Sequence, residues 1–166
     1  MHMADITHTE PNDVLSLEIL KKFRIIIRAA QKYSQWVEKQ CGVSGAQLWI
    51  MQELCEKPGL RVGELAGKLA IHQTTTSNLL DGLEKRGYIN KLRNTDDQRV
   101  VTITLTEKGL SLLLSAPRPA RGLLPEALRQ LDPDILVQLG LGLNCLLEGL
   151  HVLDEEAGMQ PLPFTM

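Results

Sequence analysis

A run of small polar side chains in the middle of the chain has chemistry suited to contacting DNA. Hydroxyl and amide groups can hydrogen-bond to base edges or phosphates without steric cost. No acidic residue occurs in this run before Asp81, so nothing at its start repels phosphate, and a helix dipole would add a favourable partial charge. A Thr-rich capping stretch on a solvent-exposed helix is an equally good interpretation of the run alone. The residues concerned are Gln73, Thr74, Thr75, Ser77 and Asn78.

A second group of candidate contacts surrounds a polar turn about twenty residues further along the chain. Arg93 and Arg99 lie on either side of the turn, and Lys91 lies close by. Asp97 can pair with a neighbouring arginine and hold the turn, which leaves another arginine able to enter a minor groove. The alternative is a solvated charged turn without a partner.

Hydrophobic spacing predicts the elements that position these groups. A helical period runs from Asn12 to about Gln40, and a second helix follows Ser44. Leu65, Ala66 and Leu69 predict a short helix before the polar run, which itself continues as a helix to Gly87. Residues 88–93 and 100–105 are predicted to form two strands on either side of the turn. Helix, helix and hairpin in this order predict a winged helix-turn-helix.

Capping residues and prolines predict where the remaining helices begin and end. Asn12 or Asp13 can cap the first helix, and Ser44 and Thr106 are N-caps of later ones. Pro117 and Pro119 interrupt the helix that follows Thr106. Asp132 and Pro133 begin a Leu-rich last helix over residues 135–153, and the tail from Ala157 is expected to fray.

Charge and composition exclude several classes of protein. The net charge is −2, but residues 60–108 carry a balance of +2, so the acidity lies outside the candidate DNA-binding segment. No apolar run is long enough to span a bilayer and no signal peptide is present, so we expect a cytoplasmic protein without membrane contact. Glycine-rich phosphate loops, nucleophile elbows and convincing carboxylate pairs are missing, which argues against an enzyme.

The three cysteines have no spacing typical of a metal site, so neither a metal nor another cofactor is predicted. In a cytoplasmic protein we expect buried, reduced thiols, and a redox-sensing thiol is the alternative. They are Cys41, Cys55 and Cys145.

Four segments, together with the polar helix start, resemble the successive signatures of the MarR family (multiple antibiotic resistance regulators). Their order and spacing match over roughly residues 44–110. The segments are Val62-Gly63-Glu64-Leu65-Ala66, Leu83-Glu84-Lys85-Arg86-Gly87-Tyr88-Ile89, Asp97-Gln98-Arg99 and Leu105-Thr106-Glu107-Lys108-Gly109.

The resemblance implies a mainly α fold with a small β-hairpin wing (α+β) and dimerisation helices at both ends. It implies a homodimer on a palindromic operator in double-stranded DNA, and a regulator, most often a repressor, that a small aromatic or amphipathic effector releases. By position, the polar run gives the recognition-helix contacts, Arg99 is the wing arginine and Asp97 its orienting partner. Pro117 and Pro119 depart from the family's long continuous helix, and no cysteine precedes Cys41 to serve as its peroxide sensor.

We therefore expect an N-terminal arm and dimerisation helix in residues 1–41, a DNA-binding domain in 42–110, and C-terminal dimerisation helices with a tail in 111–166. The apolar surfaces of the first and last helices predict the dimer, and their packing on each other within one subunit is the alternative. Two further functions stay open, a winged-helix module that binds a protein partner and a thiol-based redox-responsive regulator. Candidate effector-pocket residues, which could equally be plain core, are Tyr33, Trp36, Trp49 and Met51.

Overall fold

The computed structural model describes residues 11–152 and 154–166, so most of the predicted N-terminal arm and Leu153 lie outside it. The described chain is mainly helical with one two-stranded antiparallel sheet, as the sequence predicts. The elements are α1 (Pro11–Cys41), α2 (Gly45–Glu56), α3 (Val62–Leu69), α4 (Gln73–Lys85), β1 (Ile89–Arg93), β2 (Val101–Leu105), α5 (Glu107–Ser115), α6 (Leu123–Gln130), α7 (Pro133–Gly149), α8 (Glu155–Gly158) and a 3-10 turn (Pro163–Thr165).

Helices α2, α3 and α4 enclose the hydrophobic core. Each contributes apolar side chains at helical spacing, and the inward positions predicted for α3 are all buried. Val37 near the end of α1 and Leu113 of α5 close the core from the two flanks. The fully buried side chains of the three central helices include Leu48, Ile50, Met51, Leu54, Leu65, Leu80 and Leu83.

The two strands form the predicted hairpin. Ile89 pairs with Leu105 at its base and Arg93 with Val101 at its tip. A short antiparallel bridge joins β2 to the segment before α3, where the Ile103 amide donates to the Leu60 carbonyl at 2.9 Å and the Gly59 amide donates to the Ile103 carbonyl at 2.9 Å. Leu60 and Ile103 are both buried, so this bridge fixes the hairpin to the helical core.

Three of the predicted N-caps are confirmed. The Ser44 hydroxyl accepts a hydrogen bond from the backbone amide of Gln47, and the Gln47 side-chain oxygen accepts one from the backbone amide of Ser44, which completes a capping box. Thr106 caps α5 and Asp132 caps α7, with a proline at the start of α7. The prediction for α1 is wrong, because the structure describes this helix from Pro11 onward and Asn12 and Asp13 lie within it.

Helices α1 and α7 expose long apolar faces. All of α1 from Asn12 to Lys22 is exposed, and Ile25, Ile26 and Ile27 further along it are exposed as well. Helix α7 has no buried residue although it is rich in leucine. The break after α5 is confirmed, because α5 ends at Ser115 before Pro117.

The C-terminal tail does not fray as expected. Residues 155–158 form α8, and the 3-10 turn packs against α1 and α2. The Ser34 hydroxyl of α1 donates a hydrogen bond of 2.7 Å to the Phe164 carbonyl. The polar residues around Ala157 suggested fraying, but the apolar sequence from Pro161 to Phe164 supplies the contacts that hold the tail.

The cysteines also differ from expectation. Cys55 and Cys145 are exposed on helix faces that this subunit leaves uncovered, whereas Cys41 is half-buried against the edge of the core. In the part of the chain that the structure describes, no helix is long and apolar enough to cross a membrane. The same residues contain no cluster of three or more His, Cys, Asp or Glu side chains arranged to hold a metal ion.

Gly109 is required where the start of α5 passes the backbone of Tyr88, directly before β1. A Cβ at this position would lie 2.1 Å from the carbonyl oxygen of Tyr88, which is backbone and cannot move aside. We expect Gly109→Ala to lower the free energy of unfolding by about 3 kcal/mol or more, measured by urea denaturation.

Gly67→Ala is the matched control, since Gly67 is exposed in α3 and a Cβ there has no neighbour within 4 Å. The alanine should raise helix propensity and therefore stability by up to about 1 kcal/mol. Equal effects of the two substitutions would contradict the close approach at Gly109.

Candidate nucleic-acid interface

The exposed face of α4 carries the predicted recognition residues. Gln73, Thr74 and Asn78 are exposed, and Thr75 and Ser77 are half-buried beside them. Thr76, which was not among the predicted contacts, is fully buried and its hydroxyl donates to the His72 carbonyl at 2.9 Å. The structure therefore brings all of the predicted α4 residues to one end of the helix.

The N-terminus of α4 has no side-chain cap. His72 is the N-cap, and its side chain accepts no hydrogen bond from the amides of the first turn. That turn contains no acidic residue, so its amides and the helix dipole present partial positive charge. Backbone amides in this arrangement bind phosphate oxygens well.

The tip of the hairpin holds its arginines outward. Arg93 and Arg99 are exposed, and neither has an ion-pair partner among the residues that the structure describes. The expected ion pair between Asp97 and an arginine side chain is not present. The Asp97 carboxylate instead accepts the backbone amide of Arg99 at 3.0 Å, because a tight turn brings this amide closer than any guanidinium. Asp97 thus holds the turn through the main chain.

Lys91 is engaged elsewhere. Its ammonium forms ion pairs with Asp81 and Glu84 of α4, at 3.1 Å from Glu84, and its side chain is only 23% exposed. Burial lowers the pKa of Lys91, but hydrogen bonds to these two carboxylates outweigh that effect and the pKa is raised. Lys91 therefore joins the hairpin to α4, and this role does not favour a DNA contact.

A cavity of about 610 Å³ lies behind the helix-turn-helix. Its walls come from the middle of α1, the start of α2, the turn after α3, the start of α6 and the C-terminal tail. Tyr33 and Trp49 line it as predicted. Trp36 and Met51 do not, because Trp36 points away from the cavity on the exposed side of α1 and Met51 is fully buried in the core.

A charged cluster forms one corner of this apolar cavity. Glu53 is buried, and it accepts hydrogen bonds from Arg121 at 2.8 Å and from the Trp49 indole at 2.9 Å. Lys68 lies 3.3 Å from the same carboxylate, and Arg121 also bonds Glu56. Burial raises the pKa of Glu53. The hydrogen bonds from Arg121 and Trp49 and the nearby positive charges lower it by more, so the pKa is below its ordinary value.

Sequence reasoning missed the cavity residues outside the first two helices. Lys68 and Arg121 give it polarity, and Leu69, Ala70 and Ile71 bring the turn of the helix-turn-helix to its wall. The apolar Pro161–Phe164 stretch in a polar tail was the one available signal. No pattern in the sequence could pair Arg121 with Glu53, because sixty-eight positions separate them.

Comparison with known proteins gives a consistent result. A model of the MarR family matches residues 43–101. The chain is 34% identical over 73 residues to the HTH-type transcriptional repressor MdtR of Bacillus subtilis (strain 168), a match that covers 44% of this chain and 46% of MdtR. It is 28% identical over 120 residues to the homoprotocatechuate degradative operon repressor of Escherichia coli, with 72% and 78% of the two chains covered.

Among solved structures, the transcriptional regulator BldR of Sulfolobus solfataricus superposes with a TM-score of 0.53 at 25% identity, over 80% of this chain and 94% of BldR. The fold is therefore that of winged helix-turn-helix regulators. The aligned region spans about half the length of MdtR, and the family model covers the winged segment of this chain.

Glu53 should stabilise the protein in a pH-dependent way. Since its pKa is lowered in the folded state, its contribution is complete above the unfolded value and is lost as the pH falls below about 4.3. We expect Glu53→Gln to cost about 3 kcal/mol at pH 7, because it leaves the largely buried Arg121 with a weaker set of partners.

Urea denaturation at pH 7 and at pH 3.5 measures this difference, which should shrink at the lower pH. Glu18→Gln is the control, because Glu18 forms an exposed pair with Lys21 on α1 and should cost less than about 0.5 kcal/mol. A Glu53→Gln cost that does not depend on pH would contradict the ionised, paired carboxylate.

Proposed function

We propose that this chain is a transcriptional repressor of the MarR family that binds double-stranded DNA; the family model matches its winged-helix segment, residues 43–101. The observation that carries the proposal is the combination of exposed polar side chains at the uncapped N-terminus of α4 with a wing whose arginines are exposed. Two similar proteins, MdtR and the homoprotocatechuate operon repressor, are named as repressors.

In the proposed complex, α4 enters a major groove and the wing reaches the adjoining minor groove. Gln73, Thr74 and Asn78 are best exposed for base or phosphate contacts, with Thr75 and Ser77 beside them. Arg99 enters the minor groove, where a narrow groove attracts a guanidinium, and Arg93 contacts the backbone. Asp97 positions Arg99 by accepting a hydrogen bond from the Arg99 backbone amide, which fixes the turn.

We propose that the protein acts as a homodimer formed through α1 and α7. Packing of these helices on each other within one subunit would bury residues of α7, and none is buried. The exposed side chains include Ile25 and Ile27 on α1 and Leu139 and Leu143 on α7. Faces of this extent and chemistry are rarely left in water, and a second copy supplies the same faces in matching amounts. The two α4 helices of such a dimer would read a palindromic operator.

The cavity is the proposed effector site. Its walls are mainly apolar, with Tyr33 and Trp49 as aromatic side chains and Lys68 and Arg121 at one polar corner. This chemistry suits a small aromatic or amphipathic molecule that carries one polar group. Ala70 and Ile71 belong both to the cavity wall and to the turn before α4, so an occupant can influence the recognition helix.

The two alternative functions, a winged-helix module that binds a protein partner and a thiol-based redox-responsive regulator, have weaker support. A wing or recognition helix that binds protein usually presents an acidic or apolar face, whereas that of α4 is polar and nearly neutral. For a redox-responsive regulator, the half-buried Cys41 is poorly suited, since burial raises the pKa of its thiol and thus lowers the thiolate fraction.

Arg99→Ala tests the DNA-binding proposal. Loss of a minor-groove arginine should weaken binding by about 10-fold or more and reduce the slope of log affinity against log salt by about 1. Fluorescence anisotropy with a duplex from the region upstream of the protein's own gene measures both.

Lys39→Ala removes the same charge from an exposed position in the last turn of α1, outside the recognition face of α4 and the wing, and should change affinity by less than about twofold. Equal effects of the two substitutions would mean that only overall charge matters. Unchanged binding by Arg99→Ala would remove the wing from the proposed interface.

Substitutions on α7 test the dimer. The double variant Leu139→Glu, Leu143→Glu places charges in the proposed interface and should sediment as a monomer of 18.5 kDa at micromolar concentration. It should keep its helical circular dichroism, because neither leucine is buried within the subunit.

Gln138→Glu adds charge at an exposed polar position of the same helix and should leave the dimer intact. A wild-type protein that sediments as a monomer would refute the dimer.

A further inference from the structure

The C-terminal segment after α7 touches two functional parts of the molecule. We call residues 154–166, which comprise α8 and the 3-10 turn, the C-terminal strap. One end of the strap lies against the N-terminus of α4, and the other end forms a wall of the cavity. Neither contact is needed for the winged fold itself, whose core lies in α2, α3 and α4.

On the cavity side, the strap contributes side chains directly to the wall. Pro161, Leu162 and Phe164 line the cavity beside α1. The Phe164 carbonyl accepts a 2.7 Å hydrogen bond from the hydroxyl of Ser34, which is itself buried. An occupant that fills the cavity therefore touches the strap.

On the other side, the strap holds the residue that begins the recognition helix. The His72 amide donates to the Met159 carbonyl at 3.0 Å. The His72 imidazole lies 3.1 Å from the carboxylate of Glu156 in α8. His72 is the N-cap of α4, so these two contacts fix the position of its first turn.

Only four residues separate Met159 from Phe164, and Pro161 and Pro163 are two of them. Proline fixes one backbone dihedral, so this connection is stiff and transmits displacement from one end to the other. We propose that the C-terminal strap senses occupation of the cavity and transmits it to the N-terminus of α4. The regulatory meaning of this link rests on the proposed function, but the mechanical link itself does not.

A disulfide that locks the strap gives a direct test. A Cβ on Gly45 at the start of α2 would lie 3.6 Å from the Cβ of Thr165, within the range that a disulfide requires. The variant is Gly45→Cys, Thr165→Cys in a background of Cys41→Ser, Cys55→Ser and Cys145→Ser. Its reduced form carries identical side chains, and thus controls for the new Cβ, which lies 3.0 Å from Ser34 Oγ.

The readout is hydrogen exchange at the His72 amide, followed by NMR without DNA. The probe is 1-anilinonaphthalene-8-sulfonate, which has apolar aromatic rings and one sulfonate. Changes in the amide shifts of Ala70 and Ile71 report its binding in the cavity. In the reduced variant and in the wild type, the probe should raise the exchange rate at His72 by about 3- to 10-fold, the range that the loss of one hydrogen bond gives. In the oxidised variant the rate should rise by less than about twofold. An equal rise in both forms, or no rise in either, would overturn the proposal.

Phe164→Ala supplies a test that needs no probe. It should raise exchange at His72 by about 3-fold or more while leaving amides of the α2 core unchanged, because it loosens only the strap. Met166→Ala is the control, since Met166 is exposed and does not line the cavity. Equal exchange at His72 in both variants would also overturn the link.

DNA affinity, measured by anisotropy on the same upstream duplex, separates this proposal from the proposed function. Phe164→Ala should weaken binding by about 2- to 5-fold, since the first turn of α4 is less well held. A wild-type protein that fails to bind DNA would refute the proposed function. The exchange measurements would still decide whether the strap links the cavity to the N-terminus of α4.

Discussion

The position of the wing relative to the recognition helix depends on the backbone bridge between Ile103 and the Gly59–Leu60 segment. This bridge adds a third extended segment to the hairpin and joins it to the start of α3, which packs on α4. A protein that contacts two adjoining grooves needs a fixed distance between its two reading elements. The buried side chains of Leu60 and Ile103 supply that rigidity because they exclude water from the bridge. Lys91, paired with Asp81 and Glu84, reinforces the same junction from the outer side.

The winged fold was predictable because its signals are local. Period changes identified α4 and the two strands, and the caps at Ser44, Thr106 and Asp132 act within three residues of themselves. The exposed character of Gln73, Thr74 and Asn78 followed from their position at the start of an amphipathic helix. Each of these features depends on neighbours along the chain, which a sequence displays directly.

The features that sequence reasoning missed depend on contacts between distant parts of the chain. Trp36 and Trp49 look alike as candidate pocket residues, and only the rotation of α1 against α2 decides which of them faces the cavity. The Glu53–Arg121 pair and the Ser34–Phe164 bond join residues that are 68 and 130 positions apart in the sequence. Asp97 holds the turn, as the sequence predicts, but its partner is the backbone amide of Arg99 and not an arginine side chain, because that amide is closer within the turn.

The length of α1 has a mechanical consequence. Its 31 residues form one continuous helix of roughly 46 Å, whose first two thirds are exposed and whose last third is built into the winged domain through Ser34 and Val37. Such a helix acts as a lever arm. A rotation of about 10° at the far end would move the winged domain by about 8 Å, which is about a quarter of the roughly 34 Å between successive major grooves. Small changes in packing at the exposed end of α1 would thus be amplified into a change in the register with which two recognition helices meet the duplex.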